Sequence, residues 1–218
     1  MPSTPRPVSL VRDRIVEAAV RMFAQHGYHG TSTREIARAA KVNENTLFRH
    51  FLRKEDLFWL ALQSCLESLE VEKGLQRALE AGGDPEVLVR AVMEVLVGAV
   101  DGHPETIRLL SVAWLELNGK FTSVFQQSLA PVLVLLRECL SRSVRNPRVK
   151  AADPSLLTSA LMASVLVHGS LSRLMSGGER PVAARAGAER QRVVEAYSNF
   201  WLSMLDGHAG NPLPPAIS

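Results

Sequence analysis

The stretch Ser32-Thr33-Arg34-Glu35-Ile36-Ala37-Arg38-Ala39-Ala40-Lys41-Val42-Asn43-Glu44-Asn45-Thr46-Leu47-Phe48-Arg49-His50-Phe51 encodes two short helices and the turn between them. Ser32 and Glu35 have capping-box spacing: the hydroxyl can accept from the third helical N–H while the carboxylate reaches back to the cap amide. They open a helix that runs to Ala40. Lys41-Val42 make a tight turn, and Asn43 is a good N-cap for a second helix, Glu44 to His50. Two short helices joined by three or four residues have helix-turn-helix spacing. Ile36 and Ala37 face inward on the first; Leu47 and Phe51, four apart, face inward on the second. Ala37 is small enough to let the helices cross closely, and Val42 plugs the turn.

With Leu47 and Phe51 buried, the opposite face of the second helix carries Asn45, Thr46 and Arg49 and, obliquely, Phe48 and His50. These residue types suit DNA. Arg pairs with guanine, Asn with adenine, Thr and aromatic groups touch thymine methyls, and His and Lys reach phosphates. Lys54 lies at the start of the next helix, where the dipole and free N–H groups add to an anion site. Glu44 favours its helix N-terminus but would be repelled by phosphates unless it accepts from a cytosine amino group or turns away.

Outward from this stretch the chain reads as helix throughout, an all-α protein of about nine helices. Residues 1–9 form a Pro-rich leader, expected to be disordered. The first helix, about Leu10 to His26, places Ile15, Ala19, Met22 and Phe23 on one face, and Gly27 ends it. A fourth helix is expected from Lys54 to about Ala81, stopped by Gly82-Gly83. Asp84-Pro85 and Asp153-Pro154 are cap-plus-Pro signals that open helices to about Gly102 and Met175. Pro104 starts a helix to about Asn118. Phe121 to Arg145 is a long segment with Pro131 as a kink. A loop follows Gly177-Gly178, the last helix covers about Glu189 to Leu205, and residues 207–218 form a frayed tail.

The chain has 218 residues, 46% hydrophobic and 22% charged, which excludes disorder over most of its length. Its 14 Gly, 12 Pro and 2 Cys exclude collagen-like and disulfide-scaffold chains. Cys65 and Cys139 form no CxxC pair, and a reducing cytoplasm suits them. No apolar run approaches the roughly 20 residues that cross a bilayer. Residues 1–57 hold ten Lys/Arg against six acids, so the net charge of +3 lies at the front. A basic front and a neutral back suggest a nucleic-acid module joined to something else. There is no GxSxG, P-loop, HExxH or GxGxxG pattern, and the six His show no metal-ligand spacing. No catalytic residues, metal or cofactor are expected.

The run Phe23 to Ala37, the run Val42 to Phe51, and Lys54-Glu55-Asp56-Leu57 together resemble the N-terminal domain of the TetR family of bacterial regulators, almost without a gap over residues 10–62. The resemblance implies a homodimer with the second short helix of each subunit in the major groove of a palindromic double-stranded DNA operator. Carried over by position, Thr33, Arg34, Thr46, Phe48, His50 and Lys54 would touch the DNA backbone. Asn43, Asn45 and Arg49 would read bases. The family often has Tyr at the positions of Phe48 and His50; without the hydroxyl, Phe48 is better matched to a thymine methyl, while His50 can replace a phosphate donor.

The division expected is a helix-turn-helix domain over 10–57 and a ligand-binding and dimerisation domain over 58–206. In the family the last two helices dimerise. Here they offer Ala160, Ala163, Ser164 and Ser170 on one, and Tyr197, Phe200, Trp201 and Met204 on the other, with intrachain packing as the plainer alternative for each. Candidates for a small-molecule pocket are Met93, Leu96, Val97, Leu110, Trp114, Phe121, Phe125, Met162, Val165 and His168, again against plain core packing. Trp114 and His168 are the sharpest of these, with Glu116 and Asn118 as polar neighbours. The function implied is a cytoplasmic, ligand-responsive repressor released from its operator by a small hydrophobic or aromatic inducer, with no membrane partner. The alternative is a DNA-binding adaptor that responds to a protein partner. A third reading, a helical enzyme or binding protein that has lost DNA binding, is disfavoured by the basic reading face.

Overall fold

The computed structural model describes residues 7–117, 125–150, 153–175 and 183–206. Among these, every regular element is helical: α1 Pro7–His26, α2 Thr33–Ala39, α3 Glu44–His50, α4 Lys54–Ser68, α5 Val71–Ala81, α6 Pro85–Gly102, α7 Pro104–Glu116, a π-helical turn Phe125–Leu129, α8 Ala130–Ser143, α9 Pro147–Lys150, α10 Pro154–Met175 and α11 Ala183–Asp206. The contacts divide into two compact units: residues up to 69 with 103–129, and residues 70–102 with 130–218. This grouping by contact differs from the expected division at residue 57, which follows the helix-turn-helix spacing instead.

The first unit is built on α1. Its inward stripe of Ile15, Ala18, Ala19 and Phe23 is fully buried and packs with Ile36 and Ala37 of α2, Leu47 of α3, Phe51, and Leu57, Phe58, Ala61 and Leu62 of α4. Phe23 meets Phe58 edge-on at 5.1 Å, and Tyr28 meets the same ring at 5.6 Å, so the turn after α1 is seated on the core by its own aromatic ring. Leu109 and Ala113 bring α7 onto this core too, against α1 and α4.

In the second unit α6 is central. It packs on α5, α8, α10 and α11, and buries Val92, Met93, Leu96, Val97 and Val100. Gly74 in α5 lets α6 come close: a β-carbon there would lie 2.8 Å from a methyl of Val95.

Four boundaries differ from the expected ones. Residues 7–9 of the leader belong to α1. The helix expected over 54–81 is two helices, parted at Leu69–Glu70, where Glu70 takes φ +51. No Gly or Pro marks that break. The residues before it bury in the first unit and those after it in the second, so tertiary packing overrides a continuous helical pattern. The segment around Pro131 is a π-helical turn followed by α8, and α8 stops at Ser143. The last helix starts at Ala183, six residues early, through Ala183-Ala184-Arg185-Ala186, all strong helix formers. Asn118, Phe121 and the tail 207–218 lie outside the described residues.

Candidate nucleic-acid interface

Local chemistry places α2 and α3. Ser32 Oγ accepts from the Glu35 amide at 3.2 Å, the Ser32 amide donates to Glu35 Oε2 at 2.9 Å, and the Ser32 hydroxyl donates to the same oxygen at 2.7 Å. The capping box is complete. These bonds from the Ser32 hydroxyl and amide hold the Glu35 carboxyl below its ordinary pKa. At the far end of α2 the Val42 amide donates to Ala37 O and the Lys41 amide to Arg38 O, the paired bonds of a Schellman cap. Lys41 sits at the left-handed position with φ +55, where glycine is usual. That turn delivers Asn43, whose Oδ1 accepts from the Thr46 amide at 2.7 Å and the Thr46 hydroxyl at 2.8 Å.

Glu44, the acid that phosphates would repel, is turned away. Its Oε1 accepts from the Thr33 hydroxyl at 2.7 Å, which ties the start of α2 to the start of α3. What remains outward on α3 is Asn45, Phe48 and Arg49, all exposed, flanked by half-buried Thr46 and His50. Arg34 is exposed on α2. Asn45 and Arg49 make no side-chain hydrogen bond or ion pair among the described residues. Leu52, 86% exposed, stands just beyond α3 and was not singled out from sequence.

Four of the expected DNA contacts have prior engagements: Thr46, whose hydroxyl donates to Asn43 Oδ1, and three others. Thr33 donates its hydroxyl proton to Glu44, so only its lone pairs face elsewhere. Asn43 uses its carbonyl oxygen as the cap, which leaves its amide N–H groups. Lys54 does not stand free at the start of α4: its Nζ donates to Tyr28 O at 2.8 Å and Thr31 O at 2.9 Å and lies 4.2 Å from the Tyr28 ring centre. An ammonium has three donors, so one is left for a phosphate. His29, Thr31, Thr33, Glu35, Phe48 and Lys54 border an open depression of about 500 Å³ beside this turn.

The described pocket candidates divide between the two units. Leu110 and Trp114 belong to the first unit: Leu110 is half-buried against its core and Trp114 is 64% exposed. Phe125 begins the π-helical turn of the same unit. Met93, Leu96, Val97 and Val165 are buried in the second unit, with Met162 and His168 half-buried there. His168 meets the Tyr197 ring edge-on at 5.4 Å, so its imidazole is packed against α11. Glu116 is occupied in the first unit. Its Oε2 accepts from the amides of Tyr28 and His29, both at 3.0 Å.

Of the residues expected at a dimer interface, Ala160, Ala163 and Phe200 are exposed, and Ser164, Tyr197 and Met204 are half-buried. The Tyr197 hydroxyl donates to Ser164 O within the chain at 3.1 Å. Ser170 lies in α10. Trp201 is 2% exposed, so its ring is packed in the core of its own chain, the plainer alternative for that residue. Sequence reading passed over Leu156 and Val167, both more than half exposed. With Ala160 and Ala163 they form a strip at helical spacing along α10, and that spacing was the available signal.

Among the described residues there is no cluster of three potential metal ligands and no helix long and apolar enough to cross a membrane.

Comparison with known proteins adds the following. The sequence profile described as "Bacterial regulatory proteins, tetR family" matches residues 15–59. The HTH-type transcriptional regulator HbdR of Aromatoleum sp. (strain CIB) is 35% identical over 68 residues, 31% of this chain and 30% of that protein. The HTH-type transcriptional repressor AcnR of Corynebacterium glutamicum is 30% identical over 175 residues, 76% of this chain and 82% of that protein. The transcriptional regulator FadR from Bacillus subtilis, solved in complex with stearoyl-CoA, superposes with a TM-score of 0.66 at 16% identity, over 86% of this chain and 97% of that one. The match over most of AcnR joins the front and back of the chain in one relationship, whereas the profile covers the front alone.

Proposed function

The chain belongs to the TetR family of bacterial regulatory proteins, and we propose that it is a cytoplasmic repressor that grips a palindromic DNA operator as a homodimer and is released from it by a small hydrophobic or aromatic ligand. The observation that carries this reading is α3 itself. Its inner face is locked by Leu47, its N-terminus is capped by Asn43, its acid is turned inward, and Asn45 and Arg49 are left exposed.

In this account Asn45 and Arg49 read base edges in the major groove, with the free amide of Asn43 as a third reader. His50, Arg34, the backbone at Thr33, the remaining proton of Lys54 and Thr46, once its hydroxyl turns from Asn43, meet phosphates, and Phe48 meets a thymine methyl. The two reading helices of a dimer must then stand one DNA turn apart, roughly 34–36 Å. The exposed strip Leu156, Ala160, Ala163 and Val167, with Phe200 on α11, supplies a self-complementary apolar face of the kind a two-fold interface needs.

Ligand control is proposed from the apolar helices of 58–206 and from the acyl-CoA held by the Bacillus subtilis FadR structure. Inducer binding favours a conformer in which the reading helices are wrongly spaced, a population shift. The test is DNA affinity by fluorescence anisotropy, on a duplex the chain enriches from a random-sequence pool, with and without stearoyl-CoA and a panel of aromatic and aliphatic carboxylates. A weakening of roughly 5- to 150-fold by one class of ligand is expected. Affinity unchanged by every member refutes release by small ligands.

A further inference from the structure

The turn that follows α1 is gripped from two sides by opposite charges. Gly27 takes φ +72, and the amides of Tyr28 and His29 both point outward from it, the arrangement of a backbone anion nest. The anion there is the chain's own Glu116, from the end of α7, which accepts from both amides at 3.0 Å. A β-carbon at residue 27 would lie 2.8 Å from the other carboxylate oxygen, so glycine gives the carboxylate its room. On the carbonyl side Lys54, from the start of α4, donates to Tyr28 O and Thr31 O. Buried Thr31 closes the turn by donating to Met22 O and Gly27 O, and the next residue, Ser32, is the N-cap of α2.

The two helices that supply these charges are also covalent links to the rest of the chain. The chain leaves the first unit after Leu69, the cap residue that follows α4, and returns at His103, directly before α7. On the DNA-binding reading above, we propose that Glu116 is a positioning residue for DNA reading: its carboxylate fixes the turn 27–31 against α7 and thereby sets where α2, and through the Thr33–Glu44 bond α3, stand. Charge-assisted bonds are about twice as strong as neutral ones, and both converge on one oxygen, so a displacement of α7 moves both amides together. No DNA contact by Glu116 is needed.

The test uses the full-length chain with Glu116→Ala, Glu116→Asp and Glu116→Gln. Affinity is measured at fixed salt on a duplex enriched by the unaltered chain from a random pool, and on an unselected duplex from the same pool. Ala removes the acceptor and Asp shortens its reach; both are expected to weaken binding to the enriched duplex by roughly fivefold or more. Binding to the unselected duplex stays unchanged, because every Lys and Arg that meets phosphate is still in place. Gln keeps an acceptor oxygen and retains most of the affinity. Amide hydrogens of Tyr28 and His29 exchange faster in the Ala and Asp variants. The contrast between Asp and Gln decides the matter if the Ala variant does not fold. Equal losses on both duplexes would make Glu116 a stability residue and overturn the proposal, as would undiminished selectivity in the Ala and Asp variants. If the unaltered chain enriches no duplex, the DNA-binding reading falls and this proposal with it; enrichment that survives undiminished in the Ala and Asp variants overturns the clamp alone.

Discussion

Arg49 stands exposed on α3, with no acid engaging it among the described residues, one turn from exposed Asn45. A guanidinium in that position can offer two parallel N–H donors to guanine, and such a pair is worth about 1–3 kcal/mol of discrimination. Arg49→Ala is therefore expected to lose about that much on the enriched duplex and to relax preference at one base-pair position. Competition with duplexes changed at single positions checks it, and a uniform loss over all sequences would make Arg49 a phosphate contact instead. The inward residues of both short helices, Ile36, Ala37, Leu47 and Phe51, were legible from spacing alone, because a seven-residue helix leaves little choice of face. The partners of Lys54, Glu44 and Glu116 were not. Lys54 meets carbonyls 26 and 23 residues earlier in the chain, and Glu116 meets amides 88 and 87 residues away. Charge and type announced that these residues would seek partners, but only the fold says which.

Elements divide the same way. Where a boundary is written in local chemistry, the sequence locates it: Ser32 and Glu35 at α2, Asn43 at α3, and Asp153, whose Oδ1 accepts from the Ser155 amide, at α10. Where packing sets it, as at Leu69–Glu70, nothing in the sequence marks it. The capping box also makes a pH prediction. Glu35 is held below its ordinary pKa by the Ser32 hydroxyl and amide, so its contribution is present above the ordinary carboxylate range. It is lost as pH falls through the lowered value. Ser32→Ala removes the largest of these causes. The variant is expected to melt below the parent at neutral pH, with the gap closing in acid, read by circular dichroism melts across pH; a gap independent of pH would remove Glu35 from the account.

For the whole molecule, the chain assembles two helical units, and the all-α fold was legible throughout from breaker spacing and the absence of strand alternation. The unit boundaries were harder to read, because α7 follows a stretch of the second unit, residues 70–102, and yet packs on α1 and α4. The pocket candidates were chosen by apolarity, a property that core and cavity share, and so they fall on both units. Among the dimer candidates, Ala160 and Ala163 are exposed at helical spacing, whereas Trp201 is buried. Two copies of α3, held at one DNA turn's separation, are what the functional account requires. Selection of bound duplexes from a random-sequence pool, with the unaltered chain and with the double variant Asn45→Ala/Arg49→Ala, tests that requirement most directly. The account predicts an enriched motif with two-fold symmetry and half-site centres about 10 base pairs, or a multiple of that, apart, lost in the double variant. An asymmetric motif, or one the double variant enriches equally well, would contradict it.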